Sequence, residues 1–272
     1  MKPGFHRAKL LLLDIGNTHC HVGLSTPTRL LRHTDLPTKA LASGSGARQL
    51  GAFLGGLQPT AVALCSVVPT ATRDAARWVR SSLGLDPLVL THATVRGVGL
   101  NYPRPETIGP DRLANAIAAR HYHGAPCVVV DFGTAVTFDI VDGGGNYIGG
   151  IIAPGLAAMT DYLHEKTALL PRIRIREVKS AIGRSTEEAM LVGAVHGYRG
   201  LVRELIGELR KEMGTRRLPV IATGGYAHLL AQGVTDIHEV RPNLTLEGLR
   251  LLWLAHQLPT ISKPRRSGPA PR

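Results

Sequence analysis

The sequence predicts an α/β protein of two similar lobes facing each other across a cleft. Three observations point there. An apolar strand runs into an aspartate and then a glycine-containing turn twice, as "LLLLDIGNT" at residues 10–18 and "CVVVDFGT" at 127–134. Each juncture opens a half in which strand patterns are followed by helical ones, as in layered α/β folds. The length, 272 residues, suits one large domain or two lobes of ordinary size. The expected division is an N-terminal lobe over 9–123, a C-terminal lobe over 124–258, and basic tails at 1–8 and 259–272.

In the first half, "KLLLLDIGN" turning into "THCHVGLS" has the pattern of a β-hairpin. The Gly/Ser/Ala-rich stretch "LASGSGARQL" leads into a helix. "AVALCSVVP" reads as a short buried strand stopped by Pro69, since proline cannot donate to a sheet ladder. "TATRDAARWVRSSLG" is a helix ending at Gly84, "PLVLT" another strand, and "GVGLNYPRPETIG" irregular. "PDRLANAIAARHYHG" carries the signals of a helix: Pro110 at the start, Asp111 in the first turn, Leu113 and Ile117 on one face, and a closing Gly124.

The second half repeats the theme. "CVVVDFG", "TAVTFDIVD" and "YIGGIIAPG" are three strands, and "DGGGN" supplies the hairpin turn between the last two. "LAAMTDYLHEKTALL" is helical. Ser185 and Glu188 form a capping-box pair at the head of a long helix with apolar positions at helical spacing through Leu209. Gly193, Gly197 and Gly200 cost that helix propensity and suggest close helix packing, within the lobe or across a dimer. "PVIATGGYA" is a strand running into Gly224 and Gly225, and "LTLEGLRLLWLAHQL" is the last helix.

Composition narrows the function classes. Hydrophobic residues make up 44% but aromatics only 4%, so aliphatic side chains must fill the interior. No apolar run approaches the roughly 18 residues of a membrane span. The run after the basic start is cut by Asp14, so no secretory signal is expected. Cys20, Cys65 and Cys127 are odd in number and widely spaced, which fits a reducing, cytoplasmic setting rather than a disulfide framework. The formal net charge is +12, but Lys2, Arg7 and Lys9 near the start and Lys263, Arg265, Arg266 and Arg272 near the end account for seven of those charges. No aromatic-interleaved basic motif accompanies them, so a solvated basic tail is the reading and specific nucleic-acid binding is not expected.

The twin junctures suggest phosphate chemistry. Gly-Asn-Thr and Gly-Thr turns leave backbone N–H groups and hydroxyls free to point at phosphate oxygens. The neighbouring Asp cannot hold phosphate, because like charges repel, but it can hold a metal ion or its water. A G-x-x-x-x-G-K-[ST] loop and the protein-kinase motif set are both absent. The "HCH" at 19–21 invites a metal reading, yet on a strand His19 and His21 share a face while Cys20 points away.

"DIGNT", "GPDR", "DFGTAVTFDIVDGGGNYIGGIIAPG", "TALLP", "STEEA" and "ATGGYA" occur in an order and spacing that resemble type III pantothenate kinase, from about Leu10 to about Leu252. That family belongs to the actin-like ATPase superfamily, whose duplicated ribonuclease H-like lobes hold a nucleotide between them. The resemblance implies transfer of the ATP γ-phosphoryl group to the 4′-hydroxyl of pantothenate, the first step of coenzyme A biosynthesis. It implies Mg²⁺ with the ATP, a monovalent cation (K⁺ or NH₄⁺) and a homodimer. By position, Asp14, Ile15, Gly16, Asn17, Thr18, His19, Cys20 and His21 would form the first phosphate loop. Thr134 would contact ATP, with Gly224 and Gly225 near the nucleoside. Tyr102, Gly109, Pro110, Asp111, Arg112 and Thr186 would contact pantothenate, Asp111 would be the general base, and Asp131 would bind the monovalent cation.

Local physics gives these roles a rationale and a set of plainer alternatives. A helix N-terminus favours an ionised Asp111, and Arg112 can attract the pantothenate carboxylate or the phosphates. Equally, Pro110 and Asp111 suit a simple helix start, Ser185, Thr186 and Glu188 a cap, Tyr102 a packed loop aromatic, and the glycine pair a tight turn. Two other functions remain open on the residues alone. One is an actin-like phosphotransferase acting on another small molecule; the other is a non-catalytic regulatory or nucleic-acid-associated homologue.

Overall fold

A computed structural model of the chain describes residues 9–258. Strand β1 (Leu10–Ile15) pairs antiparallel with β2 (His19–Ser25), which pairs antiparallel with β3 (Leu30–Pro37). After helix α1 (Gly44–Leu54), β4 (Ala61–Ser66) lies parallel to β1 on its other side. Helix α2 (Pro69–Trp78) continues through a wider turn to Leu83, and Gly84 closes it in the left-handed region at φ 65°. The short β5 (Leu88–Val89) completes a sheet of order β3-β2-β1-β4-β5.

The pattern then recurs. After β6 (Gly99–Leu100) and helix α3 (Pro110–His123), strands β7 (Cys127–Phe132), β8 (Ala135–Val141) and β9 (Asn146–Pro154) form an antiparallel meander. Helices α4 (Leu156–Lys166) and α5 (Thr186–Glu212) follow, then β10 (Val220–Thr223), α6 (Ala227–Ala231), β11 (Glu239–Val240) and α7 (Leu244–Gln257). Strand β10 lies parallel to β7 and β11 parallel to β10, so the second sheet reads β11-β10-β7-β8-β9-β6. Apart from β6 at its edge, it is the first sheet over again: a three-strand meander whose first strand accepts a parallel partner. Two elements cross between the halves. Strand β6, from the first half, adds to β9, and α7, from the last residues, packs against β1 and β4.

Alternation along the first strand of each sheet builds three core layers. Leu11, Leu13 and Ile15 face α1 and α2, and Val128, Val130 and Phe132 face α4, α5 and α6. Leu10 and Leu12 from β1 and Cys127 and Val129 from β7 meet in the middle around Leu113, Ala114 and Ile117 of α3 and Leu246 and Leu249 of α7. Each fully enclosed leucine there contributes about 1.5–3 kcal/mol. The helix contact is close because a Cβ at Gly248 would run into the Ala114 backbone. The same alternation carries Asp14 to the side of Leu10 and Leu12, and Asp131 to the side of Cys127 and Val129. Both carboxylates therefore project toward the middle layer, where α3 begins.

The α-helical reading of 156–170 ends early, at Lys166, and 167–184 has no regular structure. That segment is anchored by Glu177, which accepts from the buried Arg199 at 2.6 and 3.0 Å. Gly193, Gly197 and Gly200 lie where an added Cβ would meet nothing within 4 Å, so close packing inside the lobe is not their role. Among the described residues no helix is long and apolar enough to cross a membrane. The basic tails at 1–8 and 259–272 lie outside the described residues.

Candidate active site

The first phosphate-loop candidate is a tight turn closing the β1–β2 hairpin, with Gly16 N–H donating to His19 O at 2.9 Å. It is braced from the following segment: Thr38 Oγ1 donates to Gly16 O at 2.7 Å and Thr38 N–H to Thr18 O at 3.0 Å. The N–H groups of Asn17 and Thr18 stay unengaged by other described residues. In the second turn Gly133 N–H donates to Ala135 O at 3.1 Å, again leaving the Thr134 N–H without a partner among the described residues. Asn17, Thr18, His19 and Thr134 are all exposed, so these donors face outward. Cys20 is buried while His19 and His21 are exposed, so the three do not converge on one ion. His21 pairs instead with Asp35 at 2.6 Å.

Asp14, Asp131 and Asp111 share one electrostatic neighbourhood. Burial pushes the Asp14 carboxyl well above its ordinary value; His21 opposes this, Asp111 adds to it, the Cys65 thiol opposes and Asp131 adds. The thiol donates to Asp14 Oδ1 at 3.3 Å. Burial lifts Asp131 to about 6, against a hydrogen bond from Asn115 and with Asp111 adding its repulsion. Asn115 Nδ2 donates to Asp131 Oδ2 at 3.3 Å, and Thr245 Oγ1 of α7 donates to Asn115 Oδ1 at 2.9 Å, which fixes the amide. Asp131 Oδ1 has no donor among the described residues. His21 loses affinity for its proton through burial but regains more from Asp14, Asp35 and Asp131, so its pKa rises overall.

Asp111 sits at the second position of α3 and accepts the Arg112 N–H at 2.9 Å. The helix start favours its anion, yet burial outweighs that and the pull of Arg112, so its pKa moves up rather than down. A Cβ at Gly109 would lie 2.5 Å from Asp111 Oδ1, so a side chain there would displace that carboxylate. Gly224 is bound still more tightly. Its φ is +90°, and a Cβ would lie 2.5 Å from Asp131 Oδ1 and 2.7 Å from the Phe132 nitrogen. The glycine after β10 thus lets that turn press against the second aspartate.

These are three carboxylates from three elements, grouped beside two turns with free backbone donors. The model of the type III pantothenate kinase family matches residues 10–208. The chain belongs to that family. A type III pantothenate kinase from Akkermansia muciniphila is 48% identical over 243 residues, 89% of this chain and 96% of that protein. Among solved structures, a Campylobacter jejuni protein described as a Baf family transcriptional activator aligns at TM-score 0.59 and 20% identity, over 91% of this chain and 98% of its own. Component A of the (R)-2-hydroxyglutaryl-CoA dehydratase of Acidaminococcus fermentans aligns at TM-score 0.52 and 13% identity, over 92% and 98%. At such identities these two speak to the fold alone, which is the two-lobed actin-like ATPase fold.

The family's remaining candidate positions are spread unevenly. Tyr102 meets Tyr147 edge-on with centroids 6.1 Å apart, and the Arg112 guanidinium lies 5.8 Å from the Tyr147 ring centre. Arg112, read from the sequence as able to attract an anion, donates from Nε to Asp139 at 2.6 Å and from Nη2 to Phe138 O at 2.8 Å, and no bond from its Nη1 is present among the described residues. Pro110 is the first residue of α3. Gly225 has open space around it. Thr186, exposed at the first position of α5, makes none of the described contacts with the three aspartates; Ser185 and Glu188 cap that helix as the sequence indicates. Asp139, Asn115, Cys65 and Thr38 were not singled out from the sequence. A lone Asp inside the apolar run "VTFDIV" was the one available signal among them.

Proposed function

We propose that the chain transfers the γ-phosphoryl group of ATP to the 4′-hydroxyl of pantothenate, forming ADP and 4′-phosphopantothenate. The observation that carries this is the convergence of Asp14 and Asp131, one from each repeated strand–turn unit, on the helix start that holds Asp111. Phosphoryl transfer asks mainly for positioning and charge stabilisation, with a base on the attacking hydroxyl. Asp111 takes the hydroxyl proton as the oxygen attacks the γ-phosphorus. Its upward-shifted pKa brings it nearer the working pH, which suits a general base. The free N–H groups of Asn17, Thr18 and Thr134 bind phosphate oxygens from both sides, His21 stands beside the first turn, and Gly224 seats its turn against Asp131 while Gly225, with open space around it, leaves room beside the nucleoside. Tyr102, Gly109, Pro110, Arg112 and Thr186 form the pantothenate side.

When bound with ATP, Mg²⁺ would supply neutralisation of phosphate charge, with Asp14 as the residue placed to hold it or its water. Asp131 fits a monovalent cation, because its Oδ1 lacks a donor while burial raises the cost of its bare charge. We assign the lobes to 9–123 and 124–258, with β6 and α7 each crossing to the other. The open Gly193, Gly197 and Gly200 face of α5 and the exposed Ile152 and Tyr162 support a homodimer. A cytoplasmic location agrees with three unpaired cysteines. The test is purified protein with ATP and pantothenate, in potassium and in sodium. ADP and phosphopantothenate should form in equal amounts, faster in potassium; ADP release unaffected by pantothenate would overturn the assignment.

A further inference from the structure

Arg112 is held in a frame made by residues with no assigned part in the reaction. Its Nε–H donates to Asp139 Oδ1 at 2.6 Å and its Nη2 to the Phe138 carbonyl at 2.8 Å, so one edge of the guanidinium is bound to β8. The Tyr147 ring lies on another side. Space for the group exists because β9 has glycine at 150, where a Cβ would collide with Arg112 Nη2 and Phe138 O. Asp139 has no exposed side-chain surface, and its Oδ2 finds no hydrogen-bond partner among the described residues. A carboxylate buried at such cost, in the middle of an otherwise apolar strand, needs its cation in place. Burial lifts Asp139 to about 7, opposed by Arg112.

We infer that Asp139 is a positioning residue for pantothenate: it fixes Arg112 through the Nε–Nη2 edge and thereby aims the free Nη1 edge at the substrate, beside Asp111. The inference rests on the pantothenate assignment above. A guanidinium forks two ways. With one edge committed to Asp139 and the Phe138 carbonyl, the other has a fixed direction, and no rotamer search is needed when a carboxylate or amide oxygen of the substrate arrives. Asp139 itself touches no substrate. Neither lysine at 112 nor an amide at 139 reproduces this arrangement, since lysine has no second edge and asparagine no charge.

The experiment is a cycle of Asp139→Asn, Arg112→Ala and the double variant, with Asp139→Glu as the conservative test. Each is assayed for KM of pantothenate and of ATP, for kcat, and for thermal melting. The expected result for Asp139→Asn is a pantothenate KM raised roughly 10- to 100-fold with ATP KM within about twofold. In the Arg112→Ala background the same change should leave both KM values unmoved, and Asp139→Glu should recover part of the loss. Equal effects on both substrates, or full additivity in the double variant, would make Asp139 a structural residue only and overturn the inference. Should Asp139→Asn melt too low to assay, the Asp139→Glu variant alone decides, through the ratio of the two KM values. Wild-type protein inactive on pantothenate would sink the assignment itself; active wild type with a KM unmoved by Asp139→Asn would sink only this inference.

Discussion

Asp14 and Asp131 hold equivalent places in two copies of one strand pattern, yet they stand in different company. Each is the penultimate residue of its strand, faces the middle layer and precedes a glycine turn. Across the sheets Asp14 is opposite His21 and Cys65, whereas Asp131 is opposite Thr137 and Thr223. The first therefore has an imidazole directly beside it and a weak thiol donor. The second has neutral hydroxyl neighbours, one amide from α3 and a glycine pressed against it. The two acidic turns thus repeat one strand pattern with different flanking residues, which is the basis for proposing a phosphate-loop role for the first and an ion-binding role for the second.

The largest effect should come from the residue on which both turns converge. Asp111→Asn should lower kcat by about 10²–10⁴-fold while ATP still binds by calorimetry, because the side chain is removed from neither turn. Loss of ATP binding in step with turnover would mean that Asp111 holds the nucleotide site together instead of acting as a base.

The next contrast separates the two glycine turns. Gly224→Ala forces a side chain into the left-handed region and against Asp131, and should cost about 2–4 kcal/mol. Gly16→Ala meets only the His19 carbonyl, at 3.1 Å, with no positive φ, and should cost under about 1 kcal/mol. Denaturant midpoints of the two variants test this directly; equal losses would make the asymmetry unreal.

The pH dependence of stability sharpens the comparison further. Asp131 titrates near 6 in the folded protein against about 3.9 when unfolded. The folded state therefore holds the extra proton between those values. The resulting stabilisation is complete below about pH 4, fades as pH rises through 6, and is absent at pH 7, a loss of up to roughly 3 kcal/mol. Asp131→Asn has no such loss, so its stability relative to wild type should climb between pH 4 and pH 7 in potassium-free buffer. A flat difference across that range would show that Asp131 is not burdened by burial.

Much of this architecture was legible in the sequence, for identifiable reasons. Strands β1 and β7, buried on both faces, read as continuous apolar runs, and α3 announced itself through Pro110, Asp111 and Gly124. Strand β3 was not legible: in "LLRHTDLP" only Leu36 is buried, so no alternating pattern marks it and its pairing with β2 alone makes it a strand. The two-residue β6 and β11 are likewise created by their partners. In the site, the acidic turns and the helix start were visible because each is a local motif. The groups that tune them were not: Cys65 reaches Asp14 across 51 positions, Asn115 joins Thr245 across 130, and Arg112 joins Asp139 across 27. Only the fold brings such pairs together.

The smallest expected effects lie in the hydrogen bonds that flank the two carboxylates. A thiol is a weak donor, and it is the Cys65 thiol that donates to Asp14. Cys65→Ala should therefore cost no more than about 1 kcal/mol. Asn115 bridges two partners from a site 1% exposed, so Asn115→Ala leaves the Thr245 hydroxyl without its acceptor and Asp131 without its donor. That should cost about 1–3 kcal/mol and should also raise the Asp131 pKa, moving the pH at which stability is lost upward. If Cys65→Ala were the costlier of the two, the first turn would depend on its thiol and the division of labour between the repeats would have to be redrawn.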